Sequence, residues 1–231
     1  MLKSINKSLE SKLLLAFLKN VPFDGWTWKA LYNSADDIKI IKGDLSSEDK
    51  IQLRDIFEND LVDIVKRCNE YLDLGMRESF KKSKPTNLRI PEKIKSQIMF
   101  RLTYANEIKE AIRISIGMMS LPKNSKIALS MLFKTCDIIW RDCDDKSTDF
   151  SFYTKRLILS GVYSSTLTYW LNENDNSKVE EFLERRLNDV SKLSKLKKFP
   201  NLINRSPFPF VNIFKLLKSF NFNKFSYKPN D

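Results

Sequence analysis

Histidine is absent from all 231 residues. Its absence removes the usual base of a nucleophilic triad and the commonest nitrogen ligand for metals. The three cysteines, Cys68, Cys136 and Cys143, have no CxxC spacing. A structural zinc site is therefore not expected, and the thiols read as reduced filler of a cytosolic protein. Five glycines and eight prolines are too few for the many tight turns of an all-β chain. No run of about 18 apolar residues occurs, so no transmembrane helix is expected. The early "KLLLAFLK" is too short, and too charged at its flanks, for a secretory signal.

What is present is apolar residues in quantity and an uneven charge. Hydrophobic residues make up 42% of the chain, enough for a packed core, and the formal net charge is +11. Most of that excess sits at one end. From Val190 to Asn230 there are nine bases (Lys192, Lys195, Lys197, Lys198, Arg205, Lys215, Lys218, Lys224, Lys228) and no acid. The rest of the chain is close to neutral. A basic tail on a neutral body directs attention to anionic surfaces as partners.

Apolar spacing is helical almost throughout. "INKSLESKLLLAFLKN" predicts a helix ended by Pro22, and "WTWKALYNSADDI" a short one with Trp26, Ala30, Leu31 and Ala35 on one side. "SSEDKIQLRDIF" supplies serine N-caps with Glu48 and Asp49 in the first turn, where the helix dipole favours acids. "DLVDIVKRCNEYLDLGM" is amphipathic through Leu61, Ile64, Val65, Cys68 and Leu72. After the charged connection "KKSKPTNLRIP" come further helical segments, the first opened by Pro91 and the second closed by Pro122. The expectation is an all-α chain of nine or ten helices in three parts. These are a helical head (residues 1–85), a larger helical body (86–198) and a basic amphipathic tail (199–231). In that tail Phe210, Ile213, Phe214, Leu216, Leu217 and Phe220 share one broad face, opposite Lys215 and Lys218. This pattern suits a helix lying in a membrane interface.

The stretch "IIWRDCDDKSTDFSFYTKR" gathers four aspartates, Asp142, Asp144, Asp145 and Asp149. The simplest reading is helix punctuation. One helix stops with Asp144 in a left-handed conformation, and Ser147 or Asp149 caps the next, near Phe150. A carboxylate-only Mg²⁺ or Ca²⁺ site matches no calcium-loop spacing, and Lys146 stands among the would-be ligands. No enzyme signature is evident. From the residues alone, Trp140 is either a core tryptophan or an exposed interface anchor.

The same stretch, continued as "LILSGVYSSTLTYWLNENDNSKVEEFLERRLNDV", resembles the lipid-binding accessory family of ubiquinone (coenzyme Q) biosynthesis. Asp137, Trp140, Asp145, Ser147, Thr148, Asp149, Tyr153, Thr154, Lys155 and Arg156 follow that family's pattern. So do Val162, Tyr163, Thr166, Phe182, Leu183, Arg185 and Arg186. "VPFDGWTWKAL" is similar to bacterial members of the family, and the resemblance is densest over residues 137–190. Asp144 stands where the family has glycine, and Phe152 where it has tryptophan.

The resemblance implies a tetracycline-repressor-like fold, with a helix-turn-helix-like head on a dimerising helical body that encloses a long-chain lipid. The implied protein has no catalytic residues, cofactor or metal of its own. It works as a homodimer, peripheral on the cytoplasmic face of the inner membrane, and binds an isoprenoid or a phospholipid. Candidate lining residues in the matching helices are Ile112, Ile116, Met119, Met131, Leu132, Leu159, Val162, Tyr163 and Thr166. Gly117 and Gly161 would leave space, and Met118, Met119 and Met131 would adapt to an irregular tail. The resemblance further implies that Asp137, Trp140 and Arg141 form a patch docking a ubiquinone-pathway hydroxylase. Lys155, Arg156, Arg185 and Arg186 would pair with Asp137, Asp145 or Asp149. The rival reading is a repressor-like transcription regulator sensing a hydrophobic ligand. Charge opposes it and predicts no nucleic-acid partner: Gly43 to Asp63 holds seven acids against Lys50 and Arg54, whereas DNA affinity comes largely from bases neutralising phosphates.

Overall fold

The computed structural model describes residues 7–40, 43–83, 87–148 and 150–195. Among these the chain is helical and has no strand. Nine α-helices run in order: α1 (Lys7–Asp24), α2 (Trp28–Asp37), α3 (Ser47–Ile56), α4 (Leu61–Lys82), α5 (Ile90–Tyr104), α6 (Lys109–Met119), α7 (Ser125–Asp142), α8 (Phe150–Asn172) and α9 (Asn176–Lys195). Two 3₁₀ turns, Asn106–Ile108 and Pro122–Asn124, join α5 to α6 and α6 to α7. The tail from residue 199, with the membrane-facing set Phe210, Ile213, Phe214, Lys215, Leu216, Leu217, Lys218 and Phe220, lies outside the described residues.

Helix ends follow local chemistry. Thr27 caps α2 by accepting the Ala30 N–H at 3.2 Å. Ser46 and Asp49 close a reciprocal capping box on α3, with both bonds near 3.1 Å. Asp60 caps α4 through the Val62 N–H at 2.8 Å. Pro91 takes the first turn of α5. Pro22 does not end α1, which runs on to Asp24. A proline that near the C-terminus forfeits a single hydrogen bond, and the stop comes instead at Gly25, whose φ is +69°. Its N–H returns to the Val21 carbonyl at 2.8 Å.

The chain divides after Arg185, and each unit is described by itself. In the first, α1 packs on α2, α4 and α6; α4 packs on α5; and α7 packs on α8. Leu13, Phe17, Leu31, Ile64, Met76, Ile98, Leu102, Ile139 and Trp170 are fully or almost fully buried in its core. Each such side chain contributes roughly 1.5–3 kcal/mol. Trp170 keeps its indole satisfied by donating to Asn106 at 3.1 Å. The junction expected at residues 85/86 falls in the undescribed 84–86, and the described residues on both sides of it, as far as Arg185, belong to one compact unit joined through α1, α4, α5 and α6. Of the second unit, the described residues are the last turns of α9, where Arg186 pairs with Asp189 at 3.0 Å.

Candidate functional site

The acid-rich stretch is the punctuation of α7. Asp144 has φ +64°, and its N–H returns to the Arg141 carbonyl at 2.9 Å while that of Asp145 returns to Trp140 at 3.1 Å. That bond pair is a Schellman motif with aspartate at its left-handed position. The turn brings Asp145 beside α8, where three groups converge on it. Lys155 Nζ reaches Oδ1 at 2.6 Å, Arg156 Nη1 reaches Oδ2 at 2.7 Å, and the Ser147 hydroxyl donates to both oxygens. Burial alone would raise the Asp145 carboxyl, but the hydrogen bonds from Lys155, Ser147 and Arg156 outweigh it and hold the group far below the usual carboxylate range.

Arg156 is 1% exposed and holds both carboxylates, its Nε donating to Asp137 at 2.8 Å. Its guanidinium lies 3.7 Å from the centre of the Phe152 ring. Of the four basic residues, two pair with the expected aspartates, and Asp149, the third expected partner, lies outside the described residues. Lys155 and Arg156 join the aspartates, whereas Arg185 stands over the Phe182 ring and Arg186 pairs along α9. Asp137 is mostly buried between Arg156 and Arg141, which it accepts at 2.7 Å. Trp140 is half-buried, its N–H donating to the Lys155 carbonyl at 3.1 Å and Lys155 Nζ lying 5.4 Å from its ring centre. Arg141 and part of the Trp140 ring are what this patch offers to solvent.

Along α8 lies a second feature, a partly open cavity of about 310 Å³. Of the candidate residues, Ile112, Ile116, Met119, Met131, Leu132 and Tyr163 line it. Leu159, Val162 and Thr166 do not. They are buried on the face of α8 packed into the core, Thr166 returning its hydroxyl to the Val162 carbonyl. Gly117 and Gly161 do not line it either; both are exposed, and a Cβ at either would meet open space. The cavity draws on both sides of the expected junction, for Leu18, Trp26, Val65, Cys68, Asn69 and Leu72 also line it.

Sequence reasoning missed its polar wall. Arg101, 3% exposed, donates to Asp73 at 2.8 Å, to the Tyr163 hydroxyl at 2.5 Å and to Asn69 Oδ1 at 2.7 Å. Thr135 donates to Asp73 at 3.0 Å, and Asn69 Nδ2 reaches the same carboxylate at 3.2 Å. Burial pushes the Asp73 carboxyl up, and the Arg101 guanidinium at 2.8 Å offsets part of that rise. Burial also pushes the Tyr163 hydroxyl up to about 12, so it stays a donor. One signal was available. Asp73 and Arg101 stand among apolar residues at core spacing on α4 and α5, where an unpaired charge is not tolerated.

No group of three His, Cys, Asp or Glu side chains able to hold a metal occurs among the described residues. All three thiols are buried, and desolvation pushes Cys136 and Cys143 up to about 12. Such thiols are poor nucleophiles.

Residues 126–194, spanning α7, α8 and nearly all of α9, match the COQ9 family model. The mitochondrial ubiquinone biosynthesis protein COQ9 of Xenopus tropicalis is 27% identical over 193 residues, 80% of this chain and 58% of its own length. The human protein of the same name is 26% identical over 195 residues, with the same coverage. A probable ubiquinone biosynthesis protein of Dictyostelium discoideum, also mitochondrial, is 27% identical over 196 residues, 82% of this chain and 62% of that one. The chain thus spans a little under two thirds of the length of these relatives. The match is centred on the two helices that carry the Trp140 patch and one wall of the cavity, and over them the chain is similar to the COQ9 family.

Proposed function

We propose that this protein is a non-catalytic lipid-binding accessory protein of ubiquinone biosynthesis. It works as a homodimer, peripheral on the cytoplasmic face of the inner membrane, and presents an isoprenoid quinone precursor, or another long-chain lipid, to a demethoxyubiquinone hydroxylase. The observation that carries the reading is the cavity of about 310 Å³ between α4, α6, α7 and α8. Its volume lies at the lower end of small-molecule sites. It would take one end of a long amphiphile and leave the rest outside. The names borne by the similar proteins supply the pathway.

Without histidine, and with its thiols buried, the chain offers little with which to make or break bonds; the chemistry falls to the partner. Docking falls to Trp140 and Arg141, residue types that concentrate binding energy at interfaces. No helix among the described residues is long and apolar enough to cross a membrane, so membrane contact is assigned to the basic tail. The regulator reading gains nothing from α3. Its two bases lie against ring faces, Lys50 at 5.6 Å from Tyr32 and Arg54 at 5.4 Å from Trp28.

The test is mass spectrometry of lipid extracted from natively purified protein, paired with capture of the hydroxylase by the wild type and by Trp140→Lys. A co-purifying polyprenylated quinone, and loss of capture by a variant whose melting is otherwise ordinary, are the expected results. Protein free of lipid, or undiminished capture, refutes the corresponding half.

A further inference from the structure

The corner between α6 and α7 differs in composition from its surroundings. From Ala111 to Cys136 the chain holds four bases (Arg113, Lys123, Lys126, Lys134) and no acid. Arg113 pairs with Glu110 and Lys134 with Glu70, so the exposed Lys123 and Lys126 are the charges of the corner itself. Apolar side chains stand in solvent beside them. Ile116 is 38% exposed and Leu121 46%, and Met118 between them is partly exposed.

The corner is also suited to losing water. Asn124, itself buried, donates its side-chain N–H to the Met118 carbonyl at 2.9 Å, and its backbone N–H returns to Leu121 at 2.9 Å. The Ser120 hydroxyl donates to the Gly117 carbonyl and the Ser125 hydroxyl to that of Pro122, each at 2.8 Å. Carbonyls at a helix end ordinarily turn to water. Here local donors serve them, which lowers the cost of taking the turn into an apolar boundary. The cavity opens on the same side. Its exposed lining residues are Ile116 and Ser120 at the end of α6 and Thr168 on α8, whereas those from α1, α4 and α5 are buried or partly buried. Ile116 thus belongs both to the cavity wall and to the apolar surface.

From these observations we infer that the α6–α7 corner is a second membrane-contact surface. Ile116, Met118 and Leu121 enter the interface, and Lys123 and Lys126 meet anionic head groups. Exposed apolar residues flanked by bases are the pattern of interfacial binding. The basic tail holds the chain on the bilayer; the corner sets the cavity opening against it, so that a guest passes between lipid and cavity without crossing water. The inference rests on the lipid-binding reading, which co-purifying lipid judges separately, and adds the place of transfer.

The test is made on the full chain. Leu121→Cys at the corner and Ile51→Cys on α3, a position 59% exposed, are each labelled with a polarity-sensitive fluorophore; the three native thiols are buried. Vesicles of phosphatidylcholine and phosphatidylglycerol in equal parts should shift the label at position 121 to the blue, and lipids carrying a doxyl group high on the acyl chain should quench it. The label at position 51 should stay in water. Lys123→Gln should lower partition onto these vesicles about fivefold, the worth of one base near an anionic leaflet. Leu121→Ser should lower it severalfold. Vesicle-bound protein whose label at position 121 remains in water, or whose two labels respond alike, overturns the inference and leaves the tail as the contact. Partition unmoved in either variant overturns it too. So does a label at position 121 shielded only by the hydroxylase, or by rising protein concentration without vesicles, since the corner then belongs to a protein partner or a second copy. A full chain that does not bind vesicles at all overturns the membrane assignment of the tail, and the inference with it.

Discussion

At the scale of single residues, Asp145 is the group on which the α7–α8 corner turns. Its folded-state carboxyl is held far below the usual range, burial being outweighed by Lys155, Ser147 and Arg156. A depressed carboxyl contributes stability above its unfolded pKa of about 3.9 and loses it as the pH falls toward the folded value. Asp145→Asn leaves Arg156, 1% exposed, with Asp137 alone. It should cost about 3 kcal/mol at neutral pH, as removal of one partner from a buried pair does. Urea melts from pH 7 down to pH 2.5 should show the wild-type advantage shrinking below about pH 4; two parallel curves would refute this role. The aspartates were legible as a helix stop because Asp144 is of a type that visits the left-handed region. That both Asp137 and Asp145 would grip Arg156 could be read only as a choice among several pairings, since sequence spacing does not say which side of α8 faces α7.

At the scale of elements, α4 and α5 meet where one glycine permits it. A Cβ on Gly75 would stand 2.6 Å from the Tyr104 ring, whose hydroxyl donates to that of Tyr71 at 2.7 Å. Gly75→Ala should therefore destabilise the wild type by about 1 kcal/mol through overpacking, despite the helix propensity that alanine brings. In a Tyr104→Ala background the same change should stabilise by about 1 kcal/mol, propensity alone remaining. Denaturant melts of the four proteins test this reversal; the same sign in both backgrounds would remove the contact from the account. Most helices could be read from the chain because their caps are local: Ser46 with Asp49, Pro91, and the polar-to-apolar rhythm of α4. Pro22 misled, because one lost bond in a last turn costs little and Gly25 supplies the true end. Nothing in the sequence marks Gly75 as a point of contact, since its neighbour is 29 residues away.

For the whole molecule, charge is the property that separates the two functions considered. The bases between Val190 and Asn230 lie mostly outside the described residues, so their claim rests on composition. Protein truncated after Lys198 should no longer float with vesicles containing anionic lipid, while the full chain floats and is released by salt. Flotation unchanged by truncation would move the membrane contact elsewhere, and salt-sensitive binding of duplex DNA would revive the regulator. The helical class and six of the nine proposed lining residues agree with the cavity's observed surroundings. The lining residues outside α6, α7 and α8 come from α1, the α1–α2 connection, α4 and α5, because an enclosure among packed helices draws on partners distant along the chain. For the same reason the cavity is lined from both sides of residues 85/86.

One further consequence follows from α8. The carbonyl of Lys155, which props the Trp140 indole, and Tyr163, which faces the cavity, are fixed to the same stiff rod about 12 Å apart. Because both belong to one helix, a rigid displacement of α8 at Tyr163 would move the support beneath the tryptophan as well.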